Sequence, residues 1–196
     1  MSQASKDPLA LARTWLDEER ANGVAFPQGA VLATQGLDGI PRSRMLGAYL
    51  TPEGRFIFYT SPTSRKVQEI ARSPLASLTF GFQRSLRSIT VEGKLAPLET
   101  SELDEAWNGL DLDFRRQYVV FGPRSGAAID SLDALRHELR TLPVGVEGVR
   151  PESFIGYAFQ TVTRIVFYSV DRSDFALCQE FQPADGGGWK TQVRVP

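Results

Sequence analysis

Short strand-forming segments, each followed by a turn signal, recur through most of the chain and constrain its fold more than any other feature. The segment 30–34 precedes Asp38-Gly39, a dipeptide typical of tight β-hairpins. Similar segments follow at 43–50, 55–60, 76–82, 87–95, 154–160, 163–170 and 189–195. Six or more short strands with antiparallel connections predict a mainly β fold that closes, or nearly closes, into a barrel.

Helical patterns occur at the start and in the middle of the chain. Asp7 is a favoured helix cap, and Pro8 costs nothing at the first helical position. A second helix is predicted from Ser64 to Arg72, and further helices begin at Thr100 or Ser101 and at Asp130 or Ser131. We therefore predict one domain over residues 1–196, mainly β with flanking α-helices. Its parts are an N-terminal helix at 7–22, barrel strands at 29–98, a helical segment at 100–142 and closing strands at 153–196.

Charge and residue counts exclude several classes of function. The 22 basic and 23 acidic side chains leave a net charge of −1, which argues against nucleic acid and anionic membranes as partners. With Cys178 as the only cysteine and His137 as the only histidine, the usual metal-ligand sets are missing, so no metal site is predicted. Redox chemistry in this chain needs a bound organic cofactor. No apolar signal or membrane segment is found, which predicts a cytoplasmic protein.

One basic cluster has the pattern of a phosphate site. Arg42 and Arg44 are two residues apart on a predicted strand, so their side chains share a face. The sequence Ser64-Arg65-Lys66 begins a predicted helix, where free N–H groups and the helix dipole attract anions. Basic residues do not stabilise a helix start, which favours a role in binding. The alternative is that these charges are ordinary solvated surface residues.

Several fragments, in order along the chain, resemble the pyridoxamine 5'-phosphate oxidase family. They are 7–11, 15–16, 30–34, 38–39, 43–45, 58–60, 64–66, 73–78, 91–93, 188–190 and 193–196. The resemblance implies a split β-barrel homodimer with flavin mononucleotide (FMN) at the subunit interface. The cofactor residues that it implies are Arg44, Met45, Leu46, Tyr49, Tyr59, Thr60, Ser64, Arg65, Lys66 and Ser88, joined by Arg124, Ser125 and Tyr168 from the partner subunit.

The substrate residues of that family do not carry over. Tyr49 stands where the family has a lysine that binds the phosphate of vitamin B6, and the late Arg-x-His pair is missing from 174–178. The flavin oxidases of phenazine biosynthesis are similar to this family and lack that lysine. On this resemblance, Arg115 or Arg116 is a candidate for the partner of a substrate carboxylate. The candidates for an aromatic substrate pocket are Tyr49, Trp107, Phe114, Tyr118, Phe121 and Phe175. No catalytic acid or base is assigned.

The sequence thus predicts an FMN-dependent oxidase of a small aromatic or dihydroaromatic nitrogen compound. The expected chemistry is hydride transfer to flavin N5 and reoxidation by O2. The expected partners are a second copy of the chain, the aromatic substrate and O2. Two alternatives stay open: a flavin-binding protein without turnover, and a pyridoxamine 5'-phosphate oxidase with unusual substrate ligands.

Overall fold

The computed structural model describes residues 7–196, in which five α-helices accompany eight β-strands. The helices are α1 (Pro8–Ala21), α2 (Arg65–Arg72), α3 (Thr100–Gly109), α4 (Leu112–Phe121) and α5 (Asp133–Thr141). The strands are β1 (Gly29–Gln35), β2 (Pro41–Leu50), β3 (Phe56–Thr60), β4 (Leu75–Phe82), β5 (Arg87–Pro97), β6 (Ile155–Ser169), β7 (Leu177–Pro183) and β8 (Trp189–Arg194).

All strand pairs are antiparallel, and six strands close into a barrel. The sheet order is β3-β2-β1-β4-β5-β6-β7-β8, and an additional pairing of β3 with β6 joins the ends of the six-strand ring. The Asp38-Gly39 hairpin connects β1 to β2, with Gly39 at a φ of 83° that glycine adopts without strain. The predicted barrel and its first hairpin are therefore confirmed.

Strand β6 is shared between the barrel and an extension of the sheet. One edge of this 15-residue strand pairs with β5. The other edge pairs with β3 over residues 155–158 and with β7 over residues 165–169. The β7–β8 hairpin therefore extends from the barrel as two added strands.

Two apolar clusters hold the fold together. The larger cluster fills the barrel with fully buried side chains, among them Leu32, Phe56, Phe58, Phe80, Ile89, Ile165 and Phe167. The smaller one, which includes Ile57, Trp107, Tyr118 and Phe154, lies between the barrel and α3–α4. Strand β3 serves both, because alternate side chains point to opposite faces of a strand. This double burial fixes the end of β3, from which the chain enters α2.

The predicted elements are confirmed in outline and corrected in detail. Asp7 caps α1 by accepting a hydrogen bond from the Leu9 amide. The two strands predicted at 154–160 and 163–170 are one strand, β6, with irregular pairing opposite Glu92–Leu95. Strand β7 was not predicted, and α5 begins at Asp133 rather than at 130 or 131. Within residues 7–196, every helix is too short or too polar to traverse a lipid bilayer.

Candidate functional site

An open cleft of about 350 Å³ lies between β2, the start of α2 and the loop after α4. Its lining residues are Arg42, Ser43, Arg44, Ser64, Arg65, Lys66, Glu69, Ser125 and Gly126. Five of these, Arg44, Ser64, Arg65, Lys66 and Ser125, are among the residues expected from the sequence to hold a cofactor. The fold thus brings together two basic pairs that are about 20 residues apart in sequence, although Arg42 is already paired with Asp38 at 2.6 Å.

Arg44 is anchored in the cleft by hydrogen bonds to β1 and α2. Its Nη1 donates to the Thr34 hydroxyl at 2.5 Å and to the Leu32 carbonyl at 3.2 Å. Its Nη2 donates to Glu69 Oε2 at 2.5 Å. With both Nη groups bound, the guanidinium is held in one orientation, and 22% of the side chain remains exposed.

The N-terminus of α2 faces the cleft with no acidic residue in its first turn. The Ser64 side chain does not cap the helix; its Oγ lies 3.1 Å from Thr60 Oγ1. Lys66 donates to the same Thr60 hydroxyl at 3.0 Å, which leaves two of its three N–H groups free of that bond. Burial and the nearby charge of Arg44 lower the pKa of Lys66.

Tyr118 ties the end of β3 to the helical layer. Its buried hydroxyl lies 2.7 Å from the Thr60 carbonyl, 2.8 Å from Ser61 Oγ and 3.1 Å from the Ser153 carbonyl. One hydroxyl therefore links α4, which carries Tyr118, to the β3–α2 connection and to the approach to β6. Burial raises the pKa of Tyr118 to about 12, so this hydroxyl remains a donor at neutral pH.

The loop after α4 covers the cleft from the side of α2. Thr63 Oγ1 donates to the Ser125 carbonyl at 3.1 Å. Gly126 has a φ of 90°, and a Cβ there would lie 3.8 Å from the Arg65 amide nitrogen. Ser125 lies at the cleft of its own chain. The contribution of residues 124–125 to the site of the partner subunit, which the resemblance implies, stays a prediction. Arg124 turns away and forms a double hydrogen bond with Glu138.

The other expected cofactor residues lie outside this cleft. Met45 points to the outer face of β2 with 71% of its surface exposed, whereas the Leu46 side chain packs against the barrel core. The core position of Leu46 leaves only its backbone for cofactor contact. Ser88 and Tyr168 are directly opposite each other on β5 and β6. They form a second location, separated from β2 by β1 and β4 in the sheet.

A row of aromatic rings runs inward from the surface beside β2. Tyr49, which is 39% exposed, lies 5.7 Å from Tyr59 between ring centroids. Tyr59 stacks on Phe154 at 4.9 Å, and Phe154 lies 5.1 Å from Trp107. Burial raises the pKa of Tyr59 to about 12. Only Tyr49 and Tyr59 of this row are accessible to a ligand.

The structure corrects the expectation for Trp107. Its side chain is 1% exposed, and its indole N–H donates to the Glu147 carbonyl at 3.0 Å. Trp107 is a core residue because the helical layer packs it behind Phe154. Phe175 and Arg115 stay predictions as substrate residues. Phe175 is 90% exposed in the β6–β7 loop, and Arg115 has a buried Nε without a partner in residues 7–196. Arg116, the alternative to Arg115, is already paired with Glu147 at 3.0 Å.

Two functional candidates in this region were not predicted from the sequence. Glu69 is a fully buried carboxylate that contacts Thr34, Arg44 and Arg65. From the sequence, Tyr118 is expected only as an aromatic residue of the substrate pocket, not as a link between elements. A glutamate inside a short polar helix carries no sequence signal of burial, since such residues are usually solvated. The one available hint was that Glu69 follows Arg65 by four residues, at the spacing of helical ion pairs.

The chemistry of the cleft fits a phosphomonoester. Four cationic side chains and one carboxylate line it, and the first turn of α2 adds backbone N–H groups without competing acids. Arginine matches the spacing of phosphate oxygens, and lysine adds a compact charge. With Arg42 paired to Asp38, the other three cations and one carboxylate leave a net charge of +2, which balances a doubly charged anion.

Comparison with known proteins identifies the family. The family model described as pyridoxamine 5'-phosphate oxidase matches residues 16–137. The chain is 31% identical over 193 residues to a dihydrophenazinedicarboxylate synthase of Burkholderia lata, covering 97% of this chain and 88% of the relative. It is 32% identical over 198 residues to a pyridoxine/pyridoxamine 5'-phosphate oxidase of Novosphingobium aromaticivorans, covering 97% and 94%.

Solved structures agree on the fold. PhzG from Burkholderia lata, in complex with tetrahydrophenazine-1-carboxylic acid, superposes with a TM-score of 0.85 at 26% identity and covers 99% of this chain and 95% of that one. A pyridoxamine 5'-phosphate oxidase-related, FMN binding protein from Nostoc punctiforme gives a TM-score of 0.78 at 19% identity over the full length of both chains. The split-barrel fold expected from the sequence is confirmed, and the chain belongs to the pyridoxamine 5'-phosphate oxidase family.

Proposed function

We propose that this protein is an FMN-dependent oxidase that acts on a small, partly reduced aromatic nitrogen compound of the phenazine type. The observation that carries the proposal is the cleft in which Arg44, Arg65 and Lys66 converge on the start of α2. This arrangement supports the binding of a nucleotide phosphate. Membership in a family of oxidases supports redox chemistry by a bound flavin.

Each group in the cleft has a separate task in this proposal. Arg65 and Lys66 neutralise the phosphate, and Arg44 contributes an anchored charge from β2. Ser64 and the free amides of α2 complete the donor set. When bound, the flavin would supply the two-electron redox chemistry for oxidation of the substrate, with O2 as the final electron acceptor. The protein would orient the two reactants through the cleft and the adjacent aromatic surface.

The aromatic surface beside the cleft supports a flat substrate. Tyr49 and Tyr59 present adjacent rings, and the phenol of Tyr49 carries no positive charge with which to bind a second phosphate. Arg115, whose Nε has no partner among the described residues, is our candidate for pairing with a substrate carboxylate. The likeness to the Burkholderia lata synthase supports a substrate of this type.

The alternatives are oxidation of a vitamin B6 phosphate and flavin binding without turnover. The first is favoured by the Novosphingobium aromaticivorans relative, whose identity to this chain is as high as that of the phenazine enzyme. It is opposed by Tyr49, which replaces a cation with a neutral phenol. The two enzymatic proposals therefore differ in whether the substrate carries a phosphate.

A visible spectrum tests the proposed function directly. We expect purified protein to be yellow with bound FMN, and the flavin absorbance to bleach on anaerobic addition of a dihydrophenazine carboxylic acid and to return on admission of O2. Pyridoxamine 5'-phosphate, added in the same way, is the control and should leave the spectrum unchanged. Colourless protein that takes up no FMN contradicts the proposal. A flavin absorbance that stays unchanged with every candidate substrate favours the flavin-binding alternative.

We also propose a homodimer, supported by an apolar outer face on the sheet. On this face, Met45 of β2 is 71% exposed, and Val31, which lies opposite Met45 on β1, is 38% exposed. Leu75 of β4 is 62% exposed. Exposed apolar side chains grouped on one face of a sheet are typical of interaction surfaces. A charge placed among them weakens association, because the carboxylate loses its water on docking.

Sedimentation equilibrium measures this association. We expect the natural protein to sediment as a dimer and Met45→Glu to shift it toward monomer by at least about tenfold in dissociation constant. Val144→Glu is the matched control, because Val144 is 94% exposed in the loop after α5. A natural protein that sediments as a monomer at micromolar concentration, or a Met45→Glu variant that dimerises normally, argues against this interface.

A further inference from the structure

Glu69 places a buried negative charge directly behind the cleft. Its side chain is fully buried, in the second turn of α2, and buried charges are retained only when they are well paired. Its Oε2 accepts from Thr34 Oγ1 at 2.6 Å and from Arg44 Nη2 at 2.5 Å, and its Oε1 accepts from Arg65 Nε at 3.1 Å. One carboxylate therefore connects β1, β2 and the first turn of α2.

The donors that Glu69 leaves free point to its role. Arg65 uses only its Nε in this contact, and its two Nη groups have no protein partner in residues 7–196, while 59% of the side chain is exposed. A fixed Nε sets the plane of the guanidinium and leaves the fork of Nη donors for a ligand. Arg44, by contrast, is held through both Nη groups. The carboxylate thus orders the two arginines before a ligand arrives.

Glu69 is ionised at neutral pH. Burial by itself raises the pKa of a carboxyl group, but the hydrogen bonds from Thr34 and Arg44 and the charges of Arg44 and Arg65 outweigh this effect, so the pKa of Glu69 is lowered. Two opposite effects on an incoming phosphate follow. The negative charge repels the phosphate, whereas the ordered arginines bind it with less loss of side-chain entropy.

The contact geometry decides between these effects. Glu69 is fully buried and already neutralised by two guanidinium groups at 2.5 and 3.1 Å, so its repulsion of a ligand is largely cancelled. We infer that Glu69 is a positioning residue that holds Arg44 and Arg65 in the geometry that recognises a phosphomonoester, and that it thereby sets the preference for FMN over unphosphorylated riboflavin. This inference rests on the proposed function, because it requires that FMN binds in this cleft.

The test compares two ligands that differ only in the phosphate. Dissociation constants for FMN and riboflavin are measured by flavin fluorescence for the natural protein and for Glu69→Gln, which keeps the side-chain shape. We expect FMN affinity to fall by about tenfold or more, the effect of one charge-assisted hydrogen bond, and riboflavin affinity to change by less than about twofold. A general structural defect would weaken both ligands together and would overturn the inference.

Glu180→Gln is the matched control. Glu180 is also a buried carboxylate bound to two arginines, Arg164 and Arg194, but it lies on β7 outside the cleft. We expect it to leave the ratio of FMN to riboflavin affinity unchanged. A folded Glu69→Gln protein with an unchanged or increased ratio overturns the inference. A natural protein with no preference for FMN overturns the phosphate cleft itself, and thus the proposed function as well.

A second variant keeps the inference testable if Glu69→Gln does not fold. Arg65→Lys preserves the charge at an exposed position but removes the Nε contact and the donor fork. We expect a loss of FMN affinity of about tenfold, and the two substitutions together to cost less than the product of their separate effects, because both remove the same oriented group. Equal FMN affinity of Arg65→Lys and the natural protein, or fully independent effects, contradicts the positioning role.

Discussion

Replacing Arg65 and Lys66 together by alanine is expected to weaken FMN binding by at least about 100-fold. Each side chain offers the phosphate a charge-assisted hydrogen bond worth roughly 1.5–3 kcal/mol, so the loss of both amounts to about 3 kcal/mol or more. Titration of the apoprotein with FMN, followed by quenching of flavin fluorescence, measures the change. Riboflavin, which lacks the phosphate, should bind the variant and the natural protein with similar affinity.

The matched control replaces two basic residues elsewhere. Arg136 and Arg140 are exposed on α5, where Arg136 pairs with Asp133 at 2.9 Å. The variant Arg136→Ala/Arg140→Ala removes the same net charge without touching the cleft. If both double variants weaken FMN equally, the effect is one of overall charge. If Arg65→Ala/Lys66→Ala binds FMN normally, the phosphate does not bind at α2.

The second large effect is expected on stability. Trp107→Ala should lower the free energy of unfolding by about 3–5 kcal/mol, because it removes a large buried side chain and leaves a cavity behind Phe154. It also leaves the Glu147 carbonyl without its indole donor. Unfolding in guanidinium chloride, followed by circular dichroism, measures this difference in free energy. The contact between Trp107 and Phe154 is lost in the variant as well.

Phe175→Ala is the control for that experiment. Phe175 was expected, like Trp107, to line the substrate pocket, but it is 90% exposed. Its replacement should change the free energy of unfolding by less than about 0.5 kcal/mol. A loss of less than about 1 kcal/mol for Trp107→Ala would mean that the indole is not part of the core and would return it to the list of substrate candidates.

Local signals in the sequence were sufficient for the elements that place the cleft. The Asp7-Pro8 start of α1, the Asp38-Gly39 hairpin and the start of α2 near Ser64 depend on capping and turn chemistry, which acts within a few residues. The placement of Arg42 and Arg44 on one face of β2 follows from the two-residue period of a strand. These local rules placed the basic groups on the correct elements.

Long-range contacts decided the features that the sequence did not predict. The polar residues Gln160 and Thr161 interrupt the apolar pattern of β6, yet the strand continues because β5 pairs across the irregularity. Strand β7 has no alternating pattern, since Gln179 and Glu180 are both buried in it. Its backbone bonds to β6 and β8 stabilise it instead. A short polar segment gives no local sign of such neighbours.

The same limit applies to Trp107 and Glu69. An aromatic residue at helical spacing is compatible with a core and with a pocket wall, and only the position of Phe154 decides between them. A glutamate among charged residues is compatible with a solvated helix face. The burial of Glu69 depends on its hydrogen bond with Thr34, which lies 35 residues earlier in the chain. The ligand-facing cations are therefore apparent from the sequence, whereas the group that supports them is apparent only from the fold.

The shared strand β6 has a consequence for how the protein can diverge. Because the barrel closes through residues 155–158, the β7–β8 hairpin contributes nothing to that closure. Changes in the 186–188 tip of the hairpin therefore leave the pairing of the six-strand ring intact. The hairpin strands are less free to change, because Phe181 on β7 is fully buried in the larger apolar cluster. Selection can alter this tip for new ligands at little cost in foldability, while the inherited scaffold is preserved.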